Sequence, residues 1–423
     1  MLNAENELKK WAPVLEHADE APITDSYKKA VTAKLLENTE VALREQAAHS
    51  SYGTLNETNQ NTGSIDTFDP VLISLVRRAM PNLIAYDVAG VQPMSGPSGL
   101  VFSMKAKYGD GNTITGAPSA AQPEAFGEAE PDTAFSGTGT QVGGAFDSPD
   151  ITAGAGIVTG TAETATSFPE MGFSIEKSTV TAKTRQLKAE YTMELAQDLK
   201  AVHGLDAESE LANILSGEIL AEINREVIRE IVVNSKLAAT SITGNAAVGT
   251  FDLSLDADGR WAVEKFQSLV FVLDKLSNVI AKETRRGKGN FVICSSNVAS
   301  ALAATGNIQF GGADLKVDNV GNTFAGTLNG GLKVYVDPYA TTDYATVGYK
   351  GSNAFDAGMF YCPYVPLTMV RAVGESTFQP KIAFKTRYGL VANPLIGEFN
   401  SPGVKSVNPY YQSISNVQNI GVK

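Results

Sequence analysis

Two long stretches of the chain carry apolar residues at helical spacing. In the first, Leu211, Leu215, Ile219, Ile223, Val227 and Ile231 mark one face, and Ile214, Leu220 and Ile228 widen it into a broad stripe. Asp206 is placed to cap this helix, and Glu208 and Glu210 fall in its first turn, where the helix dipole favours anions. About 28 residues at 1.5 Å each predict a rod of ~42 Å, long enough to be the spine of a domain. The second helix runs from Trp261 to about Arg286, with Phe266, Leu269, Val270, Leu273, Leu276 and Ile280 as its buried face. Lys282, Arg285 and Arg286 complement its C-terminus, and Gly287 is expected to stop it.

Alternation takes over elsewhere. After the Gly/Pro turn from Gly90 to Gly99, Phe102, Met104, Ala106 and Tyr108 alternate with Ser103, Lys105 and Lys107, which predicts a strand with one apolar and one polar face. Phe291 to Cys294 reads as a strand, Ser295-Ser296 as a cap, and the residues through Leu302 as a short helix, together an α/β unit separate from the spine. Lys333 to Asp337 and Thr346 to Lys350 are strand-like, as is Met359 to Val370, broken by Pro363 and Pro366. A short helix from Asp69, with Pro70 at its first position, should end before Pro81. No repeat of 20 to 50 residues is visible, which excludes solenoids and propellers.

Two regions differ in composition. Residues 1 to 57 read as amphipathic helices, with Leu8, Trp11 and Leu15 on one face and Tyr27, Val31 and Leu35 on another. They are either an arm packed on its own domain or a detachable segment that docks on a partner. The polar junction Ser50 to Ser64 should be exposed and cleavable. Residues 108 to 176 contain no Lys or Arg, ten acids and twelve glycines, a composition suited to extended ribbon and loop. They are either a flexible insertion or an arm lying across a neighbouring subunit, with Lys177, Lys183, Arg185 and Lys188 as the complementary surface.

Composition narrows the function. A 423-residue chain can fill two or three compact domains, and 43% apolar against 19% charged residues suggests a surface spent on contacts. A net charge of −12 repels phosphate and argues against gripping nucleic acid. Cys294 and Cys362 are too few for a disulfide framework or a four-cysteine zinc site, and the three histidines, His17, His49 and His203, too few for a histidine-rich one. The N-terminal residues show no signal-peptide pattern and no apolar run approaches ~18 residues, so the expectation is a soluble intracellular product.

Catalytic signatures are missing. The phosphate-binding GxxxxGK[ST], HExxH, CxxC and GxSxG patterns are absent, and Gly137 to Gly144 lacks the strand and helix a dinucleotide loop requires. His203 reads as a hydrogen-bonded structural residue, Cys294 as a small hydrophobe, and the sequon Asn56-Glu57-Thr58 as coincidental.

Several unbroken strings identify a resemblance. They are Val76 to Gly99, Glu170 to Leu211, Glu218 to Val227, Val347 to Leu367 and Phe378 to Leu390, and they resemble the major capsid protein of T-even-type tailed phages. The resemblance implies an α+β Johnson fold of the Hong Kong 97 type. It places a propeptide at 1–57, the N-arm at 58–100, the E-loop region at 101–176, the P-domain with its spine helix at 177–240, the A-domain at 241–375, and a P-domain return strand and tail at 376–423. It implies hexamers that tile an icosahedral or elongated head. The expected partners are copies of itself, a pentameric vertex protein, a scaffold or core protein, a prohead protease, a portal and decoration proteins. Packaged double-stranded DNA would be enclosed without specific binding. No membrane insertion, cofactor, metal or catalytic residue is implied.

The family's processing pattern, Leu or Ile, any residue, then Glu, fits Leu55-Asn56-Glu57, with Glu57–Thr58 as the scissile bond. Leu35-Leu36-Glu37, Leu43-Arg44-Glu45, Leu220-Ala221-Glu222 and Ile228-Arg229-Glu230 match too, but only Leu55-Asn56-Glu57 lies in a polar, glycine-containing junction. Two departures stand out: Phe135 to Glu170 is too short for the relatives' inserted domain, and the tail past Pro394 lacks their Arg-Arg pair. A vertex paralogue, a cellular nanocompartment shell and an enzyme centred on His203 are the competing readings.

Overall fold

The computed structural model describes residues 2–16, 25–50, 83–109, 170–257, 261–309, 331–353, 356–374, 379–394 and 408–421. Shorter pieces at 124–125, 136–138, 155–165 and 323–328, and residues 23, 77 and 259, are described as well. The predicted helix from Asp69 lies outside these residues except at Arg77, which is helical.

The chain opens with helices α1 (Leu2–Leu15) and α2 (Ser26–Ser50) and a short α3 (Ala85–Val88). Strands β1 (Gly90–Val91) and β2 (Ser98–Gly109) follow, then the two-residue strands β3 (Glu124–Ala125), β4 (Gly137–Thr138) and β5 (Ala155–Gly156) and helix α4 (Thr159–Glu163). Next come β6 (Glu170–Thr181), β7 (Lys183–Glu190), α5 (Met193–His203), α6 (Ala207–Asn234) and β8 (Ser235–Leu237). The second half holds α7 (Thr240–Thr243), β9 (Thr250–Asp252), α8 (Ala262–Thr284), β10 (Phe291–Ser295), α9 (Ser296–Ala304), β11 (Ile308–Gln309), β12 (Thr323–Leu328) and β13 (Leu332–Asp337). It closes with β14 (Ala345–Gly348), β15 (Met359–Val373), β16 (Pro380–Ala392), β17 (Asn408–Ile414) and β18 (Asn416–Gln418).

Two mixed sheets form the body. One has the order β1-β15-β16-β7, the other β11-β12-β13-β10-β14-β17-β8. In the second, β10 is buried along its whole length, so both faces are covered. Phe291 and Ile293 join the larger apolar cluster with Tyr335 and Tyr411. Val292 and Cys294 point the other way and pack against Leu269, Leu273 and Leu276 of α8. The tail past Pro394 is part of this body, because β17 pairs with β14 and β8.

Helix α6 is the predicted rod, 28 residues long. Leu215, Ile219, Ile223, Val227 and Ile231 are buried against Tyr361, Ile382 and Phe384 of the four-stranded sheet and against Tyr410 and Tyr411 of the other. Ile214 was expected in the stripe but is exposed, since its position turns away from both sheets. Asp206 occupies the cap position in extended conformation, yet its side chain makes no capping bond. Its carbonyl accepts from the Ser209 hydroxyl at 3.0 Å instead.

Two other expectations need correction. Helix α8 does not run to Gly287: it ends at Thr284, and Arg285 takes the left-handed position with φ 54°. Gly287 serves close approach, because a Cβ there would sit 2.6 Å from the Tyr349 ring. Pro363 and Pro366 do not break a strand either. β15 runs through both as one element, and its register against β16 shifts between Pro363 and Val365 and again between Val365 and Thr368. Irregular points of this kind accommodate a residue that cannot donate to a ladder.

β2 and β6 pair antiparallel over their full lengths and form a ribbon, with β3 beside β2. Its root is held where Val101 and Val180 meet Met94, Phe360, Cys362 and Val391. The root crosses β16 at Gly389, where a Cβ would lie 2.4 Å from Val180 Cγ2 and 2.9 Å from the Thr181 carbonyl. Gly389→Ala is therefore expected to destabilise the unassembled chain by about 2 kcal/mol, read as a lower urea midpoint with unchanged m-value.

Candidate assembly surfaces

The period-two reading of the ribbon is right about the face and silent about its surroundings. Phe102 and Met104 are 60% and 61% exposed, and Phe173 and Ile175 opposite them 70% and 73%. Met104 pairs with Ile175 and Ala106 with Phe173, so these side chains share one continuous face. Among the described residues nothing covers it. Helix α5 adds a second open apolar surface: it buries none of its residues, and Met193, Leu195 and Val202 are exposed along with Leu205 just beyond it. It is nevertheless well made, with Thr192 Oγ1 accepting from the Leu195 amide at 3.3 Å and Gly204 closing it at φ 66°. His203 lies exposed in its last turn.

The basic cluster after the ribbon is partly consumed within the chain. Arg185 on β7 contacts Glu222 at 2.8 Å and Glu226 at 2.6 Å, both on α6, and its Nε also donates to the Tyr388 hydroxyl. Tyr388 in turn donates to Glu226. The expectation that Arg185 serves a neighbouring subunit is thus corrected, because α6 lies alongside β7 and supplies two carboxylates. Burial by itself would raise the Glu226 carboxyl, but hydrogen bonds from Tyr388 and Arg185 and the charge of Arg185 outweigh it and hold the group below the ordinary carboxylate range. Burial opposes the charge on Arg185 too, and the bonds to Glu226 and Tyr388 overcome it and push its pKa up.

The N-terminal helices pack on their own body, as the first of the two readings of residues 1 to 57 has it. Trp11, Leu15, Val31, Leu35 and Leu36 lie in the same apolar cluster as Leu83, Tyr86, Val91 and the α6 stripe. Lys10 to Glu37 at 2.8 Å, Lys34 to Glu7 at 2.7 Å and Lys29 to Glu16 at 3.5 Å tie α1 to α2. The Tyr27 hydroxyl donates to the Val91 carbonyl, and Asn38 Nδ2 donates to the carbonyls of Met94 at 2.8 Å and Tyr364 at 2.9 Å. Helical periodicity places Tyr27 on a face but cannot reveal these bonds, whose partners lie 64 to 326 residues away.

Leu55, Glu57 and Thr58 lie outside the described residues, as does the rest of the Ser51–Ser64 junction. Of Gly137 to Gly144, only Gly137 and Thr138 are described, paired with Ala155 and Gly156. Cys294 and Cys362 are both buried, and burial pushes each thiol up to about 12. Among the described residues no cluster of three metal-ligating side chains occurs, and no helix is long and apolar enough to cross a membrane.

An uncovered apolar ribbon and an uncovered helix beside a well-packed body define a protein that completes itself by contact with other copies or partners. The sequence comparisons name the family. The family described as Major capsid protein Gp23 matches residues 65–415. The Major capsid protein of Salmonella phage ViI is 41% identical over 409 residues, covering 92% of this chain and 90% of that protein. That of Enterobacteria phage T4 is 38% identical over 479 residues, covering 92% and 91%. The Capsid vertex protein of Enterobacteria phage T4 is 32% identical over 235 residues, covering 52% of this chain and 53% of that protein. A chain in the capsid of Myoviridae phage XM1 covers 79% of this chain and 92% of itself at 10% identity with a TM-score of 0.41, a likeness too distant to add to the assignment. The chain belongs to the Major capsid protein Gp23 family, structural proteins of the phage head shell.

Glu226→Gln should weaken the joint between β7 and α6 and cost about 2 kcal/mol at pH 7. Because the folded carboxyl is depressed, its contribution is present above the ordinary carboxylate range near 4.5 and is lost as pH falls through the folded value. Urea midpoints of the unassembled wild type and variant should converge as pH is lowered from 5 towards 3.

Proposed function

We propose that this shell subunit acts in hexameric capsomers and that its ribbon lies across a neighbouring copy. The observation that carries the reading is the apolar face of Phe102, Met104, Phe173 and Ile175, exposed on an element rooted in a well-packed body. A patch of this kind marks an interaction surface. A contact that is head-to-tail between identical chains closes into a ring or continues as a lattice. Several modest contacts per subunit add through multivalency, and each remains weak enough to be corrected during assembly.

On this reading residues 1–57 are a propeptide, removed by a prohead protease at Glu57–Thr58 with Leu55 in the recognition pattern. Residues 58–100 form the N-arm, 101–176 the E-loop region, 177–240 the P-domain, 241–375 the A-domain and 376–423 the return strand and tail. The longer alignment with the T4 protein, 479 residues against 409 for the ViI protein at equal coverage of this chain, supports an insertion that this chain lacks. A scaffold or core protein, a portal, a pentameric vertex protein and decoration proteins complete the assembly. The net charge of −12 suits a wall that encloses DNA without holding it. No catalytic step, cofactor or metal enters the reading. The vertex role is disfavoured by the half-length match to a vertex protein beside full-length matches to major capsid proteins.

Phe102→Asp and Phe173→Asp should leave subunit stability within about 0.5 kcal/mol of wild type, since both positions are exposed, while abolishing particles by sedimentation and negative-stain microscopy. Assembly at wild-type yield overturns the ribbon's role. N-terminal sequencing of the chain from mature heads is expected to begin at Thr58, and a sequence beginning at Met1 overturns the processing step.

A further inference from the structure

The hydrogen-bond partners of the β15 irregularity point to the N-terminal helices as a separable ligand of their own body. Where β15 shifts register against β16, the Val365 carbonyl takes the Thr386 hydroxyl at 3.1 Å. On the β1 side the Pro363 carbonyl takes the Met94 amide at 2.9 Å, as the Tyr361 carbonyl takes the Gln92 amide. The Tyr364 carbonyl, between Pro363 and Val365, takes Asn38 Nδ2, which also bonds the Met94 carbonyl. Asn38 therefore fits the irregularity of the body rather than any feature of its own helix.

Ion pairs join α1 to α2. Contacts across the seam include apolar packing, the Tyr27 bond to the Val91 carbonyl, the bond from Arg77 Nη1 to the Val14 carbonyl at 2.9 Å and the Lys28 ammonium 5.4 Å from the centre of the Tyr86 ring. An open cleft of about 590 Å³ lies beside the seam, lined by Asp25, Tyr27 and Lys28 from the hairpin and by Tyr86, Asp87 and Lys350 from the body.

We propose that the α1–α2 hairpin stays seated in the groove made by α3, β1 and the β15 irregularity after the chain is cut in the 51–64 junction. Its departure is then a second step, separate from proteolysis and governed by Asn38 and Tyr27. The inference rests on the reading that residues 1–57 are removed, but it does not depend on which protease cuts or at which bond. Cutting alone leaves the groove filled, and the apolar surface around Leu83, Tyr86 and Val91 is uncovered only when the hairpin leaves.

The test uses the full chain carrying a foreign protease's recognition sequence within residues 51–64. After cleavage, gel filtration with intact-mass analysis should recover both pieces in one peak. Dilution should release the hairpin slowly, and purified hairpin added to the trimmed body should rebind. Asn38→Ala, which removes two hydrogen bonds, should speed release about tenfold, and Tyr27→Phe, which removes one, by about threefold. Immediate separation of the pieces on cleavage overturns the proposal, as does release from both variants at the wild-type rate. If Asn38→Ala does not fold, Tyr27→Phe decides alone. Retention of the hairpin together with mature heads that begin at Met1 would overturn the processing step, and with it the second step, while supporting the seating of a cut hairpin in the groove.

Discussion

Covering the apolar stripe of α6 is the constraint on which the rest of the fold depends. One helix face carries Leu215, Ile219, Ile223, Val227 and Ile231, and it is buried by both sheets and the N-terminal hairpin together. The four-stranded sheet brings Tyr361, Ile382 and Phe384, the seven-stranded sheet brings Tyr410 and Tyr411, and the N-terminal hairpin extends the same cluster with Leu15, Val31 and Leu35. Burying side chains of this size contributes about 1.5–3 kcal/mol each. Segments from both ends of the chain thus converge on one helix, and the Arg185–Glu226–Tyr388 group ties the four-stranded sheet to it.

Against that well-covered centre, the ribbon and α5 are left open in a consistent way. Both are locally sound: the ribbon is paired along its length, and α5 is capped at both ends. Among the described residues they have no covering layer, which a free monomer would ordinarily supply. A chain with a well-packed body that exposes finished apolar elements elsewhere has the form of a building unit. Its stability as a subunit and its affinity for neighbours reside in different residues, so each can be altered without the other.

If the hairpin leaves as proposed, the carbonyls of Val91, Met94 and Tyr364 lose their Tyr27 and Asn38 donors and can be satisfied by water, while Arg77 gives up the Val14 carbonyl. The ion pairs of Lys10 and Lys34 lie within the hairpin.

Much of this was legible along the chain. The length and position of α6, the faces of α1, α2 and α8, and the alternation of β2 follow from period 3.6 and period 2, since each needs only nearby residues. The strings shared with the capsid family carried the class of function further than any chemical motif. The tertiary structure alone decided what faces what. It turned the β2 face to solvent, gave Arg185 to α6, ended α8 at Thr284 with Arg285 in the left-handed position, and let β15 pass through two prolines. Those outcomes depend on contacts between residues far apart in sequence, and local periodicity holds no record of them.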